Sequence, residues 1–160
     1  MIIKYDLIEE RKTFKVLDSK LITYIESSAS NKNLFTITSI VDTTNKLTNK
    51  KLQFTFSRCD INPNQLIHTQ STNCVGYSHF YASICNFLIE KTEISNHWRA
   101  KVYVGELYFF GVNVHAYVDS SFFKNHDIVV LENRITGEKI HIDPTISDYF
   151  WIDRVTGLHN

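Results

Sequence analysis

The sequence predicts an α+β fold in which helices come first and an antiparallel sheet follows, with one Cys-bearing helix packed centrally on that sheet. Three observations predict it. Apolar residues recur at helical spacing in three runs, Phe14–Ile25, Leu34–Leu47 and Val75–Ile89, and from Trp98 the period changes from 3.6 to 2. The two kinds of segment come in runs and do not alternate, which argues against a βαβ enzyme. With 160 residues and 43% apolar content the chain can build one core. It reads as a single domain over 1–160, with residues 1–33 as a helical N-terminal extension.

Residues 1–12 are charged and weakly patterned, a short strand or an arm. Phe14, Leu17, Leu21, Ile22 and Ile25 then recur at helical spacing, with Asp18-Ser19 as a cap or an interruption. Ser27 to Asn33 reads as a loop. Leu34, Ile37, Ile40, Val41, Thr44 and Leu47 suit a second helix, although Thr is a weak helix former. Leu52 to Phe56 is a short strand or the helix's end. Cys59 to Gln65 reads as a loop with Pro63 blocking helix across it, part of a long approach from Arg58 to Asn73.

Cys74 opens the central helix. Val75, Ser78, Ala82, Cys85 and Ile89 form one stripe, and Tyr77, Tyr81, Ile84 and Leu88 form another. Two largely apolar stripes mean burial on most sides. Four strands follow: Arg99–Phe110, Gly111–Val118, Ile128–Asn133 and Lys139–Asp143, the last two joined by a Thr-Gly turn and stopped by Pro144.

Seventeen basic residues balance seventeen acidic ones. No basic field exists to attract nucleic acid or anionic lipid, so neither is an expected partner. Charges break every apolar run of the N-terminus, so a signal peptide is not expected, and no apolar window is long enough to span a membrane. Three Cys (59, 74 and 85) cannot all pair in one chain, and they lack the paired spacing of a zinc site. Cys74 and Cys85 on one helix lie about 16 Å apart along its axis, too far for a bridge. These features point to a reduced, cytoplasmic protein with free thiols and no cofactor.

Cys74, His115 and Asp143 occur in that order, at a helix start, within the second strand and at the end of the fourth. A thiol at a helix N-terminus meets unpaired N–H groups and a positive partial charge, both of which favour the thiolate. A nucleophilic thiol needs a base within reach, and the base needs an acceptor to hold its second ring nitrogen. Packing the helix on the sheet could supply all three. The bland readings are a small core hydrophobe for Cys74, a strand-face polar residue for His115 and a turn residue for Asp143.

Asn73-Cys-Val-Gly-Tyr-Ser, the strand His115-Ala-Tyr-Val and Asp143-Pro-Thr together resemble the transglutaminase-like branch of the papain-like cysteine hydrolase superfamily, over roughly residues 45–150. The resemblance implies a papain-like core with a Cys-His-Asp triad: Cys74 as nucleophile, His115 as base and then acid, Asp143 orienting His115. It implies acyl transfer on an amide or peptide bond of a peptide or protein substrate, as a protease, amidase or deamidase. The alternative is a non-catalytic binding or scaffold domain of the same fold. For the oxyanion hole, one donor is the Cys74 backbone N–H and the second is the side chain of Gln70 or Asn73, Asn73 being equally an N-cap.

Three departures stand out. Ala116 then Tyr117 follow His115 where the family usually has an aromatic directly. Twenty-eight positions separate His115 from Asp143, more than the branch commonly shows. The excess falls at Asp119–Asp127, a lid or substrate-wall loop. A separate substrate or calcium-binding domain is not expected from these 160 residues, nor therefore a large calcium-regulated cross-linking enzyme. His141 shares a strand face with Asp143 and is the rival base. A zinc site from His115, His126, His141 and Asp143 has the right residue types but no recognisable spacing. His79, five residues past Cys74, turns away from the thiol. Tyr77, Tyr81, Phe109, Phe110, Phe122, Phe123 and Trp151 read as core or pocket wall, and Cys59 and Cys85 as inert.

Overall fold

The computed structural model describes residues 3–30, 32–34, 36–113, 126–146 and 156–157. Its elements, in chain order, are β1 (Ile3–Arg11), α1 (Ser19–Ala29), α2 (Ile37–Lys51), β2 (Gln53–Phe54), α3 (Pro63–Thr69), β3 (Ser71–Thr72), α4 (Cys74–Glu90), a 3₁₀ turn (Glu93–Asn96), β4 (Trp98–Phe109), β5 (Val112–Asn113), β6 (His126–Asn133), β7 (Lys139–Ile142) and β8 (Thr156–Gly157). The architecture is α+β. The main sheet runs β7-β6-β4-β1-β8, antiparallel from β7 to β1, with β8 parallel to β1 and β5 folded back on β4.

The helix starts follow local chemistry. Asp18 caps α1, its carboxylate accepting from the N–H groups of Lys20 and Leu21. Thr36 and Ser39 close a reciprocal capping box at α2. The Thr residues of α2 do not prevent helix, because Thr43, Thr44 and Thr48 are buried and the Thr44 hydroxyl bonds back to the Ile40 carbonyl at 2.8 Å. Tertiary burial overrides a weak propensity here.

Two sequence expectations need correction. Pro63 does not block helix: it opens α3 at the first helical position, where its missing N–H has no acceptor to lose, and Asn62 caps the turn. The approach from Arg58 to Asn73 is therefore a helix and a short strand, not one long loop. The described residues of the 1–33 stretch are not all helical either. Residues 3–11 form β1 inside the sheet, and α1 places Leu21 and Ile25 in the main core.

α4 is the axis of that core. It packs against α2, β4 and β6, and its Phe80, Tyr81, Ile84 and Leu88 share one core with Ile40, Val41 and Leu47 of α2 and Ala100, Val102, Val129 and Leu131 of the sheet. Each large side chain buried this way contributes about 1.5–3 kcal/mol. Tyr5, Ile128 and Val130 make a second, smaller cluster, with Leu7, Tyr103 and Ile146 against it. Among the described residues no helix is long and apolar enough to cross a membrane.

Candidate active site

The first turn of α4 is held in place by its approach. β2 and β3 pair in parallel, with Gln53 N–H donating to the Gln70 carbonyl and Thr55 N–H to that of Thr72. The Thr72 hydroxyl donates to the Asp60 carbonyl at 2.7 Å. Gly76 lets α4 press on this rung, because a Cβ there would lie 1.8 Å from Thr72 Oγ1. Asn73 is the N-cap: its Oδ1 accepts from Val75 N–H (3.1 Å) and Gly76 N–H (3.3 Å), and its carbonyl takes Tyr77 N–H. That leaves the Cys74 N–H, at the first helical position, with no acceptor inside the helix. Gln70 ends α3 in a left-handed conformation (φ 67°) with its residue exposed. All three cysteines are free thiols, and Cys74 is 4% exposed.

Asp143 lies just past β7, fully buried. Its Oδ1 accepts from the N–H groups of Thr145 (3.0 Å) and Ile146 (3.1 Å). Its Oδ2 accepts from the Tyr5 hydroxyl and meets His126 Nε2 at 2.6 Å. All four lone-pair directions of the carboxylate are thus used. Burial disfavours the charge, but His126, Tyr5 and the Ile146 N–H together hold the Asp143 carboxyl below the usual range.

His126 is the junction. Cys74 is close enough to act on the charge of its ring, and the ring stacks on Tyr5 with centroids 5.8 Å apart. Burial opposes the charged ring, yet the charge and hydrogen bond of Asp143, helped by Cys74, push His126 up to about 10. Next in the chain, Asp127 is fully buried and gripped at both oxygens by Arg11, Nε at 2.5 Å and Nη2 at 3.0 Å. Burial pushes the Asp127 carboxyl up, against the pull of Arg11. The Ser78 hydroxyl, one turn into α4, donates to the Asp127 carbonyl at 2.8 Å and ties the helix to this strand.

Among the described residues the structure therefore brings Cys74, His126 and Asp143 together. His115, expected as the base, lies outside the described residues, as do Ala116, Tyr117, Phe122, Phe123, Trp151 and most of the Asp119–Asp127 loop. The end of that loop, His126-Asp127, is the start of β6. His141, the rival base, is buried with no hydrogen-bond partner on Nε2, and burial followed by Lys139 lowers its pKa. His79 is buried against Phe14, and burial, then the Arg11 charge, lower it to about 4. Burial pushes the Cys85 thiol up to about 12. Among the described residues no cluster of three or more His, Cys, Asp or Glu side chains could hold a metal ion. A hollow of about 530 Å³ between α1, α4 and the 3₁₀ turn sits at the far end of α4 from Cys74.

The sequence did carry one signal for His126. It stands 17 positions before Asp143, against 28 for His115, a separation longer than the resembled branch commonly shows. Tyr5 had no signal, being 138 positions from the carboxylate it touches. No protein-family model matches the chain, and neither a curated protein nor a solved structure matches it.

Proposed function

We propose that this chain is a thiol-dependent acyl-transfer enzyme of transglutaminase-like, papain-like fold, acting on an amide or peptide bond with Cys74 as nucleophile, His126 as base and acid, and Asp143 as orienter. The observation that carries the reading is the position of His126 between the Cys74 thiol and Asp143 Oδ2. With Nε2 on the carboxylate, the other nitrogen, Nδ1, turns toward sulfur in this reading. His126 already carries a proton on that nitrogen, so the sulfur bonds to the carbonyl carbon as the thiolate of a thiolate–imidazolium pair. The Cys74 N–H stabilises the resulting oxyanion. As the C–N bond breaks, His126 returns the proton to the departing amine, leaving an acyl-thioester. Water or a second amine then attacks the thioester, gives a proton to His126 and frees the sulfur.

The near-complete burial of Cys74 favours a second reading, a non-catalytic binding or scaffold domain. Labelling separates the two. Iodoacetamide at pH 6, where an ordinary thiol is almost wholly protonated, is expected to modify Cys74 ahead of Cys59 and Cys85, and Cys74→Ala to abolish that modification. Faster reaction at Cys59 or Cys85 sinks the catalytic reading.

A further inference from the structure

We propose that Tyr5, carried in by the first strand, is a positioning residue that holds His126 and Asp143 in their working arrangement. The inference rests on the Cys74–His126–Asp143 reading and adds a member to it. Two contacts from one side chain support it. The hydroxyl donates to Asp143 Oδ2, the same oxygen that receives His126 Nε2, and the ring lies nearly parallel to the imidazole at 18°. The first contact fixes the carboxylate that orients the His126 ring. The second limits rotation of the ring about its own side-chain bonds.

The sheet is built to allow this reach. β4 lies between β1 and β6, and Gly105 is the cross-strand partner of both Leu7 on β1 and His126 on β6. A Cβ on Gly105 would come within 3.4 Å of the Tyr5 ring and 3.3 Å of the Asp6 carbonyl. Without it, Tyr5 and His126 close over the middle strand. A bulge between Leu7 and Glu9 then turns the rest of β1, since Leu7 pairs with Gly105 but Glu9 with the adjacent Val104. Tyr5 and Arg11 thereby point to opposite faces of one strand and secure different partners, Asp143 and Asp127. Both flank His126, so β1 acts as a clamp on the strand that carries the base.

Among the described residues, the groups facing His126 are Tyr5 from β1, Cys74 from α4, Asp143 from beyond β7, and its neighbour Asp127, paired to Arg11. Tyr5→Phe keeps the ring and removes only the hydroxyl. Asp143 Oδ2 then spends its charge on His126 alone, so the imidazolium holds its proton to higher pH. The test is a side-chain nitrogen NMR titration of His126 in the full chain, wild type against Tyr5→Phe, with near-ultraviolet circular dichroism confirming that both are folded. We expect the His126 midpoint to rise by about one pH unit, as the loss of one charge-assisted hydrogen bond implies. A midpoint that does not move overturns the proposal, because a merely structural tyrosine lowers stability without touching the titration. The titration needs no substrate, so its outcome is independent of the labelling that tests the catalytic reading. Normal labelling with an unmoved midpoint sinks Tyr5 alone.

Discussion

Replacing Asp143 with Asn changes one atom and reverses the hydrogen-bond logic of the site. The carboxylate accepts from Tyr5, His126, Thr145 N–H and Ile146 N–H. A carboxamide has one oxygen, and the two backbone N–H groups cannot turn away, so that oxygen stays with them. The NH₂ then faces the Tyr5 hydroxyl and His126 Nε2. The hydroxyl can rotate to accept, but Nε2 must accept as well, which leaves the ring neutral with its proton on Nδ1. A ring that keeps its proton to about 10 against an ordinary 6.5 stabilises the fold at pH 7 by a ceiling of about 4 kcal/mol. A neutral ring avoids part of that loss, so we expect Asp143→Asn to cost about 2–4 kcal/mol in urea unfolding. Because the folded pKa of His126 is raised, its contribution is complete below pH 6.5 and fades as pH climbs through about 10. The wild type should weaken across that window and the variant should not. Cys74 alkylation at pH 6 should slow by on the order of 10³–10⁴, the scale of a wrong tautomer in a catalytic triad. Wild-type labelling and an unchanged alkaline limb in Asp143→Asn would refute the arrangement.

Two further outcomes test its surroundings. His79 is buried with Nδ1 unpartnered and stays neutral down to about 4, so between pH 6.5 and 4 the unfolded chain takes up a proton that the folded one refuses. Stability should fall across that window by up to about 3 kcal/mol, and His79→Phe should flatten the acid limb measured by thermal unfolding. Gly76→Ala puts a methyl group where Thr72 Oγ1 stands, so either α4 lifts or Thr72 gives up its bond to the Asp60 carbonyl. We expect a loss of about 2–4 kcal/mol by denaturant unfolding together with slower Cys74 labelling; a stable, normally labelled Gly76→Ala would show that the Thr72 contact does not seat the helix.

Some of this protein was legible in the residues alone because the causes are local. An apolar stripe on either side of Cys74 is enough to bury α4, and an Asn directly before it is enough to start the helix. The strands over 98–109, 128–133 and 139–142 follow from alternation and from the turn between the last two. Asp143 was readable too, since a carboxylate just past a strand end and next to Pro144 caps the following turn whatever else it does. Pro63 shows the limit of such reading: the same missing N–H that forbids helix interior suits a helix start, and only the neighbouring Asn62 tells which.

The surroundings of His126 were decided elsewhere. A His at the head of a strand has the same local pattern whether it faces water or a thiol. What distinguishes His126 is that β4 pairs Gly105 against it while α4 brings Cys74 to its other side. Residues 3–11 carry no periodicity that marks them as interior, because one face serves Tyr5 and the other Arg11, with a bulge switching between them. Their partners, Asp143 and Asp127, lie more than a hundred positions away. Helix starts and apolar stripes are settled within a few turns of chain, where sequence spacing is spatial spacing. A site assembled across four elements depends on sheet order, and sheet order is fixed only when the whole core closes.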